Sequence, residues 1–123
     1  MRVLLILGAL LMASAVILGA FGAHGLKAKL SPDMLQVYHT GVEYHFYHAL
    51  GVLLVGVVAG FYPSASGIPW AGWLLTLGIV IFSGSLYLLS ITGMRWLGAI
   101  TPLGGVAFIA GWILLAYQLY KQS

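Results

Sequence analysis

The chain has 123 residues, of which 62% are hydrophobic and 6% charged, with a formal net charge of +3 and no cysteine. Soluble domains carry about 25% charged residues, so no soluble fold of this length hides so much apolar surface, and the bilayer must be the solvent. A thinly spread positive charge makes no nucleic-acid patch. The lack of cysteine excludes disulfides, thiolate chemistry and Cys-ligated zinc or iron–sulfur sites.

The first apolar segment runs over about residues 3–23. Arg2, an apolar run and then small residues resemble a signal peptide, but the run exceeds an h-region of about 7–15 residues and no soluble domain follows, so it reads as a retained helix. GLKAKLS (25–31) links it to the second helix. Ser31-Pro32-Asp33 is a helix start: a serine cap, proline at the first helical position and an acid in the first turn. The second helix therefore covers about 32–62, including an interfacial start. PSASGIP (63–69) is a short uncharged turn. The third helix covers about 70–91, and TGMRW (92–96) leads to a fourth over about 97–120. That last helix either starts at Leu97 with a kink at Pro102 or starts at Thr101-Pro102. Each segment is near the roughly 20 residues that span a bilayer. The expectation is a single all-α domain, an up-down four-helix membrane bundle with both termini on the same side.

Arg2 and Lys121 flank the side of the termini, and Lys27, Lys29 and Arg95 the other, so the positive charges tie and leave orientation open. Tyr62, Trp70 and Trp73 mark one interface, and Tyr38 and Trp96 the other. Small residues four apart predict close helix approach: Ala15, Gly19 and Ala23 on the first helix, Gly56 and Gly60 on the second, and Gly104, Ala107 and Gly111 on the fourth.

Three of the four histidines and one of only two acids crowd into HTGVEYHFYHALG (39–51). The side of the first and third connections, the loop side, also receives His24, Ser83, Ser85, Thr101, Pro102, Gly104 and Gly105. Polar intramembrane candidates thus fall in one leaflet, which favours a one-sided polar cavity over a path across the membrane. At 100° per residue, His39, Glu43 and Phe46 share one face with Tyr47 beside them, whereas Tyr38, Gly41, His45 and His48 lie roughly opposite. His45 and His48, three apart, are placed to meet one ligand. Glu43 sits near the apolar boundary, where a charge is least costly. His48, deeper, needs a hydrogen-bond partner, with Ser83, Ser85, Thr101 or a carbonyl freed by Pro102 as candidates.

LGAFGAHGL (18–26), TGVEYHFYHALG (40–51), FSGSLYLLS (82–90) and TPLGGVAFIAGW (101–112) resemble the domain-of-unknown-function family 423, small four-span membrane proteins of the YgdD/YwdK type with a vertebrate relative, transmembrane protein 256. The resemblance touches all four helices. It maps onto Gly19, Ala20, Phe21, Gly22, Ala23 and His24, onto Gly41, Glu43, Tyr44 and His48, onto Phe82, Ser83, Gly84, Ser85, Leu86 and Tyr87, and onto Thr101, Pro102, Gly104, Gly105, Gly111 and Trp112. His45 matches a position where bacterial relatives can have glutamine. The resemblance implies a bacterial inner-membrane location and supplies no activity.

The leading functional expectation is a binding or accessory protein. Its polar cavity, lined by His24, Glu43, Tyr44, His48, Ser83, Ser85, Tyr87 and Thr101, would take a lipid headgroup, a small ligand or a partner segment. Gly19, Gly22, Gly41, Gly84, Pro102, Gly104, Gly105 and Gly111 would serve helix packing. An oligomeric transporter or channel subunit, using Glu43 and the histidines for protons or cations, is the alternative. A second alternative is a metal or haem held by His24, Glu43 and His48, although no paired ligand motif occurs and no cofactor is expected. FSGSLY is not a nucleophile elbow, so catalysis is not expected. The partners are the bilayer and either a second copy or another membrane protein, not nucleic acid.

Overall fold

A computed structural model describes residues 2–122. Four helices run up and down: α1 (Arg2–Leu26), α2 (Pro32–Phe61), α3 (Ile68–Thr92) and α4 (Thr101–Lys121), with a 3-10 turn at Arg95–Ala99 before the last. All four are long and apolar enough to cross a membrane, and no strand occurs among the described residues. Both termini lie on one side, and the α1–α2 and α3–α4 connections lie on the other.

Local chemistry sets the helix ends. The Ser31 side chain accepts the Met34 N–H at 3.2 Å, Pro32 occupies the first turn and Asp33 follows, so α2 is capped as its sequence dictates. α3 ends at Gly93, whose φ of +73° closes the helix in the left-handed conformation that glycine adopts without strain. The α3–α4 connection resolves the alternatives at Pro102. A 3-10 turn comes first, and the α-helix starts at Thr101 with Pro102 in its first turn. No side chain caps that start. The Thr101 hydroxyl instead points back to the Leu97 carbonyl at 3.3 Å. Two π turns interrupt the ladders, at Gly22–Leu26 in α1 and at Ile79–Ser83 in α3.

α1 packs on α2, α2 on α3, and α3 on α4, while α1 and α4 barely touch. Glycines make the close approaches. A Cβ on Gly8 would sit 2.7 Å from Leu53, and one on Gly22 2.4 Å from the Tyr38 ring. Between α3 and α4, Gly78 faces Phe108, Gly111 faces Leu75, and Gly104 lies against the Phe82 backbone. The main core gathers Leu4, Val52, Val55, Ile68 and Leu75, and a smaller cluster of Leu26, Tyr38 and Val42 closes the loop side.

Several expectations change. Tyr38 is fully buried rather than interfacial, because the gap left by Gly22 admits its ring. Gly60 and Gly84 have nothing within 4 Å of a built Cβ, and Gly105 has only Phe82 at 3.9 Å, so these three are not contact glycines. Ala23 is exposed.

Gly104→Ala should destabilise the bundle by about 1–3 kcal/mol, the usual range for forcing a methyl into a filled site. Its Cβ would lie 2.3 Å from the Phe82 backbone nitrogen, which cannot give way as a side chain can. Gly84→Ala should change stability little. Unfolding of both variants in one detergent checks the contrast, and equal melting would contradict the packing described.

Candidate functional site

Every interhelical polar contact described below lies between the loop side and the middle of the bundle. Its centre is His45, buried on the inner face of α2. His45 Nδ1 is 2.8 Å from the Tyr87 hydroxyl on α3, and Nε2 is 3.1 Å from the Ser14 hydroxyl on α1. Ser14 donates its own proton to the Leu11 carbonyl at 2.8 Å. Its oxygen must therefore accept from His45 Nε2–H, which leaves Nδ1 to accept from Tyr87 O–H. One neutral imidazole thus joins three helices in a one-directional chain: Tyr87 to His45 to Ser14 to Leu11.

Other bonds surround this node. Tyr38 O–H donates to the Leu18 carbonyl at 2.5 Å, fixing α2 to α1. Ser83 O–H donates to the Gly41 carbonyl at 2.8 Å, fixing α3 to α2. The Ser85 and Thr101 hydroxyls meet at 2.6 Å, fixing α3 to α4. No fully buried side-chain nitrogen or oxygen among the described residues lacks a partner. In place of the expected cavity, these groups form hydrogen-bonded struts.

His48 belongs to a different setting, so it does not share a ligand with His45. Its ring stacks on Phe108 of α4, with centroids 3.5 Å apart and planes 11° apart. Nδ1 lies 2.8 Å from the Tyr44 carbonyl of its own helix. A carbonyl only accepts, so Nδ1 carries the proton and Nε2 carries a lone pair. This tautomer is the reverse of that at His45. None of Ser83, Ser85 or Thr101 is its partner, because each is bonded elsewhere.

Glu43 faces away from the bundle. It is exposed, and its one hydrogen bond runs to Tyr47 O–H at 3.4 Å on the same helix. Its depth follows from its neighbours. Val42 meets Gly19 of α1, Gly41 meets Ser83 of α3, and Phe82 meets Gly104 of α4. At that level the other helices present Ile17, Val80 and Leu103, which are 67%, 64% and 63% exposed. These are lipid-facing aliphatics. About 15 Å of helix separates Ile17 from Lys27 at 1.5 Å per residue. Glu43 therefore lies about level with Ile17, Val80 and Leu103, near the loop-side start of α4. The outer stripe of α2 is polar through Gln36, Glu43 and Tyr47, and becomes apolar through Leu50, Leu54, Val57 and Phe61.

His24 lies exposed at the loop end of α1, so His24, Glu43 and His48 do not converge. No group of three His, Cys, Asp or Glu side chains able to hold a metal occurs among the described residues. Of the expected cavity residues, Ser83, Ser85, Thr101 and Tyr87 are engaged in interhelical bonds, and Tyr44 packs on Phe82 with centroids 4.6 Å apart. Sequence reasoning missed Ser14 and Phe108, and gave Tyr38 and Trp112 no part in the site. Ser14 was findable as the lone hydroxyl in the apolar run of α1.

His45→Leu should destabilise the bundle by about 1–3 kcal/mol, because it leaves Tyr87 O–H without an acceptor. His45→Gln, which keeps a donor and an acceptor, should lose less. Ser83→Ala should lose about 0.6 kcal/mol, the mean for an interhelical bond in a membrane protein. Reversible unfolding in mixed micelles gives the order, and equal losses for His45→Leu and His45→Gln would contradict the three-helix node.

Residues 18–105 match the model of a family described as a protein of unknown function, DUF423. The chain is 54% identical over 121 residues to the UPF0382 membrane protein YwdK of Bacillus subtilis (strain 168), covering 98% of each chain. It is 50% identical over 121 residues to a UPF0382 membrane protein of Staphylococcus haemolyticus, again covering 98% of each. It is 50% identical over 121 residues to another from Staphylococcus saprophyticus, covering 98% of this chain and 99% of the relative. No solved structure matches the chain significantly. The chain is a small integral membrane protein of the DUF423 family, whose activity is not established.

Proposed function

We propose that this protein is an accessory subunit of a bacterial cytoplasmic membrane, docking through the outward stripe of α2 onto a membrane helix of another protein. That helix carries a lysine or arginine at the depth of Glu43. The observation that carries this reading is the carboxylate itself: it points out of the bundle at about the level of the exposed aliphatics Ile17, Val80 and Leu103 of the other three helices. Ionisable groups inside a span pair with one another or with backbone and mark functional surfaces. Glu43 has one hydrogen bond within the chain, accepted from Tyr47, with His39 one turn away on the same face.

The chain supplies no lysine or arginine at that depth. Arg2, Lys27, Lys29, Arg95 and Lys121 all lie at or beyond helix ends. A second copy in the same orientation, packed α2 to α2 about a twofold axis, would set Glu43 against Glu43. Charge complementarity therefore favours a different chain. Below Tyr47 the partner meets Leu50, Leu54 and Val57, apolar surface suited to side-chain packing between helices. The cytoplasmic-membrane assignment draws on the bacterial membrane relatives and on the helical spans.

A photo-activatable residue at Leu50, irradiated in native membranes, tests this. The expected product is a discrete adduct whose partner peptide has a lysine or arginine inside an apolar span. Glu43→Gln should reduce its yield at least about tenfold, the effect of about 1.4 kcal/mol in binding, without changing the melting of the purified protein. An adduct only with lipid, an adduct only with a second copy, or a yield indifferent to Glu43→Gln would overturn the proposal.

A further inference from the structure

The outward face of α2 has a period. Asp33, Gln36, Thr40, Glu43 and Tyr47 follow one another in alternating steps of three and four residues, and each is exposed or half-exposed. Leu50, Leu54, Val57 and Phe61 continue the same alternation to the end of the helix, each at least 49% exposed. Such steps average 3.5 residues, the spacing of the contact seam in a left-handed coiled coil. Helix pairs in membranes mostly cross in that sense, at about 20°. The chain's own helices leave the seam uncovered. α1 and α3 meet the face that carries His45, and α4 reaches α2 along the flank of His48.

The chain has two acidic residues, Asp33 and Glu43, and both stand on this seam. No lysine or arginine shares it, and His39 lies beside it. The two acids are ten residues apart. Ten is one heptad plus three, so the second position returns to the seam of the first. At 1.5 Å per residue, Asp33 stands about 15 Å from Glu43, toward the loop side. It follows the Ser31 cap in the first turn of α2, is exposed, and forms no hydrogen bond or ion pair among the described residues.

We infer that the partner helix runs along this seam as a left-handed pair and carries two basic residues ten apart, one facing Glu43 and one facing Asp33. The inference rests on the docking role given to α2 above and adds the partner's charge pattern to it. Spacing acts as a filter. Bases twelve residues apart differ by about 120° around their helix, so the second would turn to another face. The two pairs differ in kind. The inner one forms beside aliphatic side chains and carries affinity. The outer one is open to water and screened by salt, so it adds little affinity and fixes register. A second copy packed α2 to α2 about a twofold axis is doubly disfavoured, since it would set Asp33 against Asp33 as well as Glu43 against Glu43.

The test uses the full-length protein in nanodiscs of zwitterionic lipid, with synthetic leucine–alanine spanning helices as probes. One probe has a single lysine at the inner position, one has a second lysine ten residues away, and one has it twelve away. Binding is read by energy transfer from the protein's tryptophans to a dansyl group on the probe. The ten-apart helix should bind about threefold more tightly than the single-lysine helix, the scale of an exposed ion pair. The twelve-apart helix should gain nothing. Asp33→Asn should erase the threefold difference and leave the single-lysine helix bound as before. Glu43→Gln should weaken the single-lysine helix at least about tenfold. Salt at about 0.5 M should remove the outer contribution and spare most of the inner one. A second lysine that adds nothing, or adds equally at both spacings, overturns the two-base seam and leaves the docking role of Glu43 standing. Binding indifferent to Glu43, or no binding of any probe, overturns both.

Discussion

In lipid, a buried imidazole has no water to turn to, and the ring of His45 is satisfied only by holding three helices at fixed separations. Ser14 and Tyr87 come from the two helices on either side of α2, and both must stay within hydrogen-bond reach of one planar ring. Moving α1 or α3 outward by one ångström would break a bond that has no substitute in a hydrocarbon solvent. The remaining struts use the same logic at the same end: Tyr38 to Leu18, Ser83 to Gly41 and Ser85 to Thr101. Each removes a polar group from lipid by spending it on a neighbouring helix.

Such short bonds require backbones to come close, and the glycines supply that closeness. Ser83 reaches the Gly41 carbonyl because Gly41 leaves its side of α2 open to the flank of Tyr87 and Leu86. Ser85 meets Thr101 because α4 lies directly against α3 at Gly104. Packing and hydrogen bonding are therefore one device. The π turn at Ile79–Ser83 belongs to it, since it brings Ser83 to the end of its loosened turn, facing α2. Toward the termini the core gathers Leu4, Val52, Val55, Ile68 and Leu75.

Much of the fold was legible because bilayer spans announce themselves by length and polarity. The Ser31-Pro32-Asp33 start of α2 could be read residue by residue, since capping is local chemistry. The opposition of Glu43 to His45 and His48 followed from helical geometry. What could not be read was depth and neighbourhood. Placing Glu43 required the level of Ile17 and Leu103, which depends on how far α2 slides against α1 and α4. Tyr38 looked like an interfacial aromatic because nothing local reveals that Gly22 of another helix leaves room for its ring. The carbonyl partners were also hidden: Ser83 found Gly41, and His48 found Tyr44, because carbonyls carry no mark in the sequence.

The two histidines show how identical residues are given different work. His45 has both nitrogens committed within the chain, so it can strut but cannot receive. His48 has one nitrogen committed, and its ring is held flat against Phe108, so it is oriented and still half free. Glu43 is the extreme case, with almost nothing from its own chain. Along α2 there is thus a gradient of satisfaction around one helix: complete toward α1 and α3, partial toward α4, and nearly absent toward the lipid. A helix that closes its polar accounts inward and leaves them open outward is arranged to meet something outside the bundle. For that reason the interface between this protein and its surroundings is to be sought on the outer side of α2 rather than in a channel through its middle.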